Sequence, residues 1–448
     1  MGKNFIHAKI SLMTQPEIFE ILKSGQNAFL TGPAGSGKTF LLNQYISYLK
    51  DNKVEVGITA STGIAATHLD GRTIHSWCGM GINHKLTKAQ LTKLKRKKHL
   101  KDRIKNTKVL IIDEISMLDS KRLDLVDKIC QAIRKNESPF GGMQTILCGD
   151  FFQLPPVSRG KENGDFVTKS KIWKAMDIKI CYIEEQYRQD DEQFLKVLND
   201  IRGDRVTQET CEILESRINQ PVNIDIKPTK LYTHNADVDV FNFLELNRLD
   251  EKEKVFHMMS YGPSVLVDIL KKNCLTSEML TLKVGAIVMF VKNNFDKKYV
   301  NGTLGKIIEF DEDSGNPIVE TTSGNTITAA PERWVVEEDG EDIAAITQVP
   351  LRLAWAITVH KSQGMSLDCA EIDLSKTFEY GMGYVALSRV RSLGGITLLG
   401  INKLALKVNE EATKLDKKLY KQSQKDLEEV KKLTKRQIKK LQKDFIKD

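Results

Sequence analysis

Short runs of apolar residues recur along the chain, separated by amphipathic stretches and polar turns. A short apolar run bounded by glycine or polar residues is typical of a buried strand in a parallel sheet. Such runs lie at 27–30, 54–60, 109–112, 145–148 and 351–359, and a further strand pattern lies at 230–233. Helical patterns follow, for example at 40–50 and 236–248. This alternation predicts an α/β fold in which 230–233 opens the sheet of a second domain.

Two segments interrupt the alternation of strands and helices. Between residue 284 and about residue 336 the apolar period changes to two, with turn signals at 301–302, 314–315 and 323–324. This pattern predicts a small β-barrel or sandwich inserted in the second domain. The lysine-rich stretch at 85–108 predicts a small helical insert in the first domain.

From residue 404 the chain is helical in pattern, rich in lysine and without glycine or proline. Apolar or small residues spaced by three and four form one narrow stripe: Leu427, Val430, Thr434, Ile438, Leu441 and Phe445. Two interpretations remain open, in which the stripe packs on the body of the protein or pairs with a second copy.

The net charge of +8 is distributed unevenly. Segment 85–108 carries eleven Lys or Arg and one Asp, and segment 403–448 carries fifteen Lys or Arg and eight acidic residues. A polyanion such as nucleic acid would be attracted to these surfaces. The alternative is that both segments are simply solvated helices.

At 448 residues, with 41% hydrophobic residues, the chain is long enough for two folded domains. It contains no apolar segment that would span a membrane and opens without a secretion signal, so we expect a cytoplasmic protein, nucleoid-associated in a bacterium and nuclear or mitochondrial in a eukaryote. Its seven cysteines are scattered without close pairs, and we expect them to be reduced.

The sequence LTGPAGSGKT at 30–39 matches the phosphate-binding pattern GxxxxGK[ST], between a predicted strand and a predicted helix. Its glycines permit turns in which successive N–H groups converge on an anion, and the helix adds its positive N-terminal end. Lys38 would reach the outer phosphates, and the Thr39 hydroxyl would bind Mg²⁺. An ordinary glycine turn is the alternative.

Polar side chains follow the next predicted strands, at the edge where open parallel sheets bind ligands. Asp113 would hold Mg²⁺ with Thr39, and Glu114 would polarise the attacking water. Gln153 can bond both the γ-phosphate and that water, and the adjacent prolines would carry its position to a surface groove. Gln15 precedes the loop, and its amide can bond the adenine edge.

Two arginines and a histidine–tryptophan pair complete the candidates. Arg188 lies among acidic residues and Arg389 follows a helical run; an arginine from a second lobe can stabilise charge on a transferring phosphoryl group. Such a pairing implies a nucleotide held between two lobes. His75 and Trp77 would pack against sugar or base.

Taken together, the motifs resemble those of superfamily 1B helicases and especially the petite-integration-frequency (PIF) helicase family. The resemblance covers about residues 15–401. It rests on GPAGSGKT, TASTGIAATHLDGRTIHSW, DEISML, GDFFQLPPV, YRQDD, LKVGAIVMFVKN, AWAITVHKSQGMSLD and YVALSRV, in that order. At Met382 the chain departs from the glutamine that many members carry, which puts a secondary polar contact in doubt.

The resemblance implies an α/β architecture of two tandem RecA-like P-loop domains with a helical wedge insert and an SH3-like β insert. The implied limits are 1–190 for the first lobe with its wedge at 77–106, 191–402 for the second lobe with its β insert at 284–345, and 403–448 for the basic tail. It further implies Mg²⁺-dependent ATP hydrolysis that drives 5′-to-3′ movement on single-stranded DNA and separation of tailed or forked duplexes, by an active monomer.

The family's site residues carry over by motif. Catalytic roles are expected for Lys38, Asp113, Glu114, Gln153, Arg188 and Arg389, and metal contacts for Thr39 and Asp113. Nucleotide contacts are expected at Gln15, Gly32, Pro33, Ala34, Gly35, Ser36, Gly37, Lys38, Thr39 and Gly364. Nucleic-acid contacts are expected at Thr62, His75, Trp77, Pro155, Thr358, His360 and Lys361. An RNA-acting helicase and a P-loop switch or scaffold without unwinding activity are the two alternative functions.

Overall fold

The first lobe is built on a six-stranded sheet of parallel strands in the order β3-β2-β4-β5-β1-β6. Its strands are β1 (Asn27–Thr31), β2 (Val56–Ala60), β3 (Arg72–Thr73), β4 (Val109–Asp113), β5 (Gln144–Cys148) and β6 (Ile178–Tyr182). The computed structural model describes residues 13–69, 71–81, 85–156, 165–189, 191–222, 229–292, 294, 299, 303–321, 324–338 and 341–447. The four strands predicted in this lobe are confirmed to within two residues at each end.

Helices cover both faces of this sheet. They are α1 (Gln15–Lys23), α2 (Lys38–Asp51), α3 (Gly63–His68), α4 (Ile74–Trp77), α5 (Lys88–Arg96), α6 (Lys98–Asn106), α7 (Ser120–Arg134) and α8 (Lys171–Ala175). Alternate residues of β4 enter different cores: Leu110 and Ile112 pack in the core that includes α7, and Val109 and Ile111 in the core that includes α1 and α2. Helices α5 and α6 form the lysine-rich element expected within 85–108.

The remaining elements follow in chain order. The strands are β7 (Thr229–Tyr232), β8 (Lys254–His257), β9 (Met259–Tyr261), β10 (Met279–Leu282), β11 (Ile287–Phe290), β12 (Leu304–Phe310), β13 (Pro317–Thr321), β14 (Thr326–Thr328), β15 (Glu332–Glu338), β16 (Glu341–Gln348), β17 (Leu351–Leu353), β18 (Ala356–Thr358), β19 (Ala370–Leu374) and β20 (Ile396–Ile401). The helices are α9 (Glu192–Arg202), α10 (Gln208–Glu215), α11 (Asn235–Asn247), α12 (Ser264–Asn273), α13 (Met382–Leu387), α14 (Glu410–Lys431) and α15 (Lys435–Lys447).

The second lobe contains a four-stranded parallel sheet in the order β18-β7-β19-β20. The helix predicted at 236–248 is confirmed as α11. The apolar run at 351–359 was wrongly predicted as one strand, because the chain changes sheets within it. Strand β17 pairs with β11 of the insert, whereas β18 joins the parallel sheet after the short connection at 354–355.

The predicted β insert is present as antiparallel sheets and is larger than expected. Strands β14-β13-β12-β11-β17 form one sheet, β15-β16-β9 a second, and β10-β8 a third. Strands β8 to β10 lie before residue 284 and were missed, because each is only three or four residues long. The predicted turn at 314–315 is observed, whereas 301–302 and residue 323 lie outside the described residues. The assigned lobe and insert limits remain predictions.

The basic tail packs on the first lobe. Asp426 Oδ2 accepts a hydrogen bond of 2.8 Å from Ile180 N, and Ser423 Oγ accepts one of 3.1 Å from Tyr182 N, so α14 covers the edge strand β6. The predicted continuous stripe is wrong in one respect: the helix ends near residue 431 and restarts at residue 435, and Leu441 is exposed. Among the described helices, none has the length and apolar character needed to cross a membrane.

Candidate nucleotide site between the two lobes

The loop after β1 has the glycine turns expected of a phosphate-binding loop. Gly32 and Gly37 have positive φ angles of 146° and 82°. A Cβ on Gly32 would lie 2.1 Å from the Ile183 carbonyl oxygen, and one on Gly37 would lie 2.5 Å from Gln15 Nε2. The backbone contact excludes a side chain at Gly32, and the left-handed φ of Gly37 strongly favours glycine there. Gln15 Nε2 also lies 3.4 Å from the Ser36 carbonyl oxygen, which places Gln15 beside the loop as predicted.

Lys38 begins helix α2 and turns its ammonium group back onto the loop. Its Nζ donates to the carbonyl oxygens of Gly32 at 2.9 Å and Pro33 at 2.8 Å. Burial lowers the pKa of Lys38, and the negative charge of Asp150 opposes this shift. An anion in the loop would give this buried ammonium a partner of opposite charge.

The loop opens into a cleft of about 700 Å³ between the lobes. Among the predicted site residues, the cleft is lined by Ala34, Gly35, Ser36, Gly37, Lys38, Thr39, Glu114, Gln153, Arg188, Gly364 and Arg389. Residues from the first and second lobes thus face each other across one space, which is large enough for a nucleotide.

Asp113 ends strand β4, and the backbone turns sharply at Glu114, the next residue. Glu114 has a φ of 49°, a left-handed conformation that costs energy for a residue with a side chain. Its N–H donates to Asp113 Oδ1 at 2.8 Å, and its carbonyl oxygen accepts from Ser61 Oγ at 2.6 Å. Burial raises the pKa of both carboxyl groups, and the charge of Asp113 raises that of Glu114 further. Glu114 is therefore a better proton acceptor than an exposed glutamate.

A glutamine from the second lobe reaches these groups. Gln363 Nε2 donates to Glu114 Oε2 at 3.0 Å and lies 3.3 Å from Gln153 Oε1. Sequence reasoning missed Gln363, although it lies within HKSQG, next to three residues assigned to the site. The amide joins the predicted water-activating group to the predicted phosphate sensor.

The two predicted arginine fingers meet at the opposite wall of the cleft. Arg188 Nη1 donates to the Ser388 carbonyl oxygen at 3.0 Å. Arg389 is 2% exposed, and its Nη2 donates to Ser388 Oγ at 2.9 Å. Burial and then the charge of Arg188 lower the pKa of Arg389. Polyphosphate between the two guanidinium groups would relieve their repulsion.

A buried polar network behind the cleft was also missed. Tyr384 of α13 accepts a hydrogen bond of 2.9 Å from the N–H of Ala34 and lies 3.4 Å from Asp150 Oδ2. Arg202 Nη2 donates to Asp150 Oδ1 at 3.3 Å and to Asp416 Oδ1 of the tail at 3.1 Å. The network ties the phosphate loop to the second lobe and to α14.

The nucleic-acid candidates are distributed over the carboxyl edges of both sheets. Thr62, His75, Pro155, His360 and Lys361 are partly exposed and follow β2, β3, β5 or β18. Burial, then the charge of Arg352, lowers the pKa of Lys361 to about 8.

Two of the predicted nucleic-acid contacts need correction. Trp77 is 2% exposed, and its indole packs in the core against Gly57, so it offers no ring face to a base. Thr358 is 2% exposed, and its hydroxyl accepts a hydrogen bond of 3.4 Å from Lys361 N. It therefore stabilises the turn at 358–361 and is not accessible to nucleic acid. Met382, where many family members carry glutamine, is fully buried in the hydrophobic core, and its side chain makes no polar contact with any described residue.

The phosphate loop and Arg188 belong to one parallel sheet, and Arg389 and Gln363 face them from a second. This arrangement defines a P-loop ATPase with two RecA-like lobes. A model of PIF1-like helicases matches residues 13–211, and a model of the DNA helicase Pif1 2B domain matches residues 266–310.

Named relatives agree with these matches. The chain is 46% identical to the ATP-dependent DNA helicase Pif1 of Psychrobacter sp. (strain PRwf-1), over 90% of this chain and 70% of that protein. It is 37% identical to the Homo sapiens ATP-dependent DNA helicase PIF1, over 88% of this chain but only 61% of the human protein.

Solved structures show the same similarity in three dimensions. The Candida albicans Pif1 helicase superimposes with a TM-score of 0.83 at 34% identity, covering 91% of this chain and 100% of that one. A Bacteroides Pif1 helicase in complex with ADP-AlF3 and ssDNA superimposes with a TM-score of 0.73 at 31% identity, covering 92% and 97%. The chain therefore belongs to the PIF1-like helicase family, as its motifs predicted.

Proposed function

We propose that the chain is an ATP-dependent DNA helicase that moves 5′ to 3′ on single-stranded DNA and separates the duplex ahead of it. The observation that carries this proposal is the contact of Gln363 with Glu114 and Gln153. Gln363 lies on the same short turn as His360 and Lys361, so one short segment lies between the cleft proposed for ATP and the surface proposed for DNA. The direction of movement is supported by the family resemblance alone.

Within this proposal, the first lobe binds the phosphates and prepares the attacking water. The backbone N–H groups of 34–39 and the Lys38 ammonium hold the phosphate chain. Glu114 accepts a proton from the water, and Gln153 orients that water against the γ-phosphate. Gln15 contacts the adenine edge. The arginines at 188 and 389 neutralise charge that develops during transfer, an effect reserved for the transition state.

Mg²⁺ fits the donor groups at this site. The Thr39 hydroxyl and the Asp113 carboxylate are the oxygen donors that Mg²⁺ prefers when phosphates and waters complete its shell. Among the described residues, no group of three or more His, Cys, Asp or Glu offers a competing metal site. The ion would neutralise charge on the phosphate oxygens.

Single-stranded DNA is the proposed track. The partly exposed Thr62, His75 and Pro155 of the first lobe and His360 and Lys361 of the second would contact sugar and phosphate, so sequence preference should be weak. The solved Bacteroides Pif1 helicase in complex with ADP-AlF3 and ssDNA supports a nucleotide and single-stranded DNA as the two ligands of this chain. The relatives of this chain that are named DNA helicases favour DNA over RNA.

A fork-unwinding assay tests the proposal directly. Duplexes that carry a single-stranded 5′ tail should be separated in the presence of ATP and Mg²⁺, and duplexes that carry only a 3′ tail should not. Lys38→Ala should abolish both ATP hydrolysis and unwinding. Normal DNA-stimulated hydrolysis without separation of either fork would support the scaffold interpretation instead, and stronger activation by poly-U than by poly-dT would support an RNA substrate.

A further inference from the structure

Aromatic side chains meet at the carboxyl edge of the second lobe's sheet. Strands β18, β7 and β19 are neighbours and run parallel, so their carboxyl ends lie side by side. His360 follows β18, His234 follows β7, and Phe378 follows β19. This edge of an open parallel sheet is where ligands bind.

The three rings form one cluster around Phe378. The ring centroid of Phe378 lies 4.9 Å from that of His234 and 6.2 Å from that of His360, with an angle of 18° between the planes of Phe378 and His360. Phe378 is nevertheless 54% exposed, and its neighbour Tyr380 is 42% exposed. The histidines thus hold the phenyl ring in place while leaving more than half of it open to solvent.

The loop that carries Phe378 is fixed by side-chain hydrogen bonds. Asn402 Nδ2 donates to the carbonyl oxygens of Ser375 at 3.1 Å and Thr377 at 2.9 Å. The Thr377 hydroxyl donates to the Leu374 carbonyl oxygen at 2.9 Å. A ring on a preorganised loop loses little conformational entropy when a partner stacks on it.

Charged residues of both signs neighbour these rings, two lysines among them. Lys361 follows His360, and Lys376 lies two residues before Phe378 with 61% of its side chain exposed and an ion pair of 3.1 Å to Asp237. His360 in turn lies 3.4 Å from Glu379 Oε2. An exposed aromatic ring beside lysines is the combination that binds single-stranded nucleic acid, with stacking for a base and charge for the backbone.

The same loop reaches the nucleotide site. Gly381 follows Tyr380, and a Cβ on Gly381 would lie 2.5 Å from the Phe152 carbonyl oxygen and 3.0 Å from that of Gln153. Helix α13 then leads to Arg389. A ligand on Phe378 would therefore contact a loop that packs against the predicted phosphate sensor.

We propose that Phe378, held by His234 and His360, is a stacking platform for one base of single-stranded DNA. The inference rests on the proposed function, because it names a contact on the same DNA track. A platform for a protein partner is a different proposal, which the position of the ring at the ligand edge of the sheet does not favour.

The test compares wild type, Phe378→Ala and Phe378→Trp by fluorescence anisotropy on labelled oligo-dT and on an abasic oligonucleotide of the same length. Phe243→Ala is the matched control, because Phe243 is a similarly exposed ring, 61% exposed, and lies on α11 roughly 12 Å along that helix from its start. We expect Phe378→Ala to raise the Kd for oligo-dT about five- to hundredfold, and Phe378→Trp to retain tight binding. On the abasic strand the alanine variant and the wild type should bind alike.

Salt titration separates stacking from ionic contact. The slope of log Kd against log salt should be the same for Phe378→Ala and wild type, whereas Lys361→Ala should reduce it by roughly 0.7. The stacking proposal would be overturned if Phe378→Ala and wild type bound oligo-dT with the same Kd, or if Phe378→Ala weakened binding of the abasic strand as much as binding of oligo-dT. Either result would leave the proposed helicase function standing. Failure of the wild type to bind either strand would overturn the proposed function as well.

Discussion

Gln363 of the second lobe donates a hydrogen bond of 3.0 Å to Glu114 at the end of β4 in the first lobe. The bond joins residues 249 positions apart in sequence and crosses the cleft in which ATP is proposed to bind. Gln363 follows His360 and Lys361 by only two or three positions. A shift of that turn on DNA binding would therefore change the hydrogen bonding of the proposed catalytic base.

Replacing Gln363 should weaken the coupling between DNA and ATP hydrolysis. We expect Gln363→Ala to lower the ratio of DNA-stimulated to DNA-independent turnover by about tenfold, since one positioned hydrogen bond to a charged group is worth about 1.5–3 kcal/mol. Affinity for an ATP analogue should stay near the wild-type value, because Gln363 is not expected to touch the phosphates. An unchanged stimulation ratio would mean that the contact has no role in coupling.

Replacing Arg389 should affect turnover far more than binding. Arg389→Ala should lower kcat by about 10³-fold, because an arginine finger acts on charge that develops in the transition state. Nucleotide affinity, measured with a fluorescent ATP analogue, should change little. Because Arg389 is buried, thermal unfolding must show that the variant is folded; a folded variant with normal kcat would remove Arg389 from the catalytic set.

Binding of single-stranded DNA should weaken as the pH rises from about 7 to about 9. Lys361 has its pKa lowered to about 8 by burial and by Arg352, so it loses its charge in this window. The protonated form attracts phosphate, and affinity therefore falls as the proton leaves. Lys361→Arg keeps the charge throughout and should flatten the pH profile. The same pH dependence in wild type and Lys361→Arg would show that another group titrates.

Gly381 should tolerate no side chain. It has a φ of +80°, and a Cβ there would lie 2.5 Å from the Phe152 carbonyl oxygen. Gly324 is a matched control, with a φ of +81° and nothing within 4 Å of its Cβ position among the described residues. Both alanine variants should lose about 1–2 kcal/mol of unfolding free energy from backbone strain. Gly381→Ala should lose more unfolding free energy than Gly324→Ala, and it alone should lose ATPase activity. Urea unfolding and ATP turnover of both variants are the measurements. If the two variants showed equal losses of stability and of turnover, the close contact of Gly381 with the Phe152 carbonyl oxygen would have no effect on packing between the lobes.

The tail should contribute to stability of the first lobe. Asp426→Ala removes the acceptor for Ile180 N, a buried donor at a sheet edge, and should lower the unfolding free energy by about 1–3 kcal/mol. Asp444→Ala removes the same charge from an exposed position in α15 and should have little effect. Urea unfolding of both variants is the measurement. Equal stability of the two would show that the cap on β6 is energetically unimportant.

Features determined by neighbouring residues were predictable from the sequence. The phosphate loop, the strands of the first lobe and the Asp113–Glu114 pair depend on local patterns of glycine, apolar and acidic residues. The contacts of Gln363 with Glu114 and of Tyr384 with Ala34 were not predictable, because they join residues 249 and 350 positions apart.

Side-chain direction was the second limit. Trp77 belongs to a motif that suggested contact with nucleic acid, but the sequence does not reveal that Gly57 opposite it leaves room for the indole in the core. The apolar run at 351–359 likewise hides the point where the chain leaves one sheet for another. Residue type indicated the chemistry at these positions, and tertiary packing decided which way each residue faces.

The path of the tail restricts how the lobes can move. The chain passes from the first lobe to the second between β6 and β7, and it returns when α14, after β20, packs on β6. Two bodies joined at a single crossing can swivel in any direction, whereas two separate crossings leave one easy rotation, about the line through both. We therefore expect the cleft to open and close by rotation about the line through the two crossings, with twisting of one lobe over the other opposed by the contacts of Ser423 and Asp426 with β6.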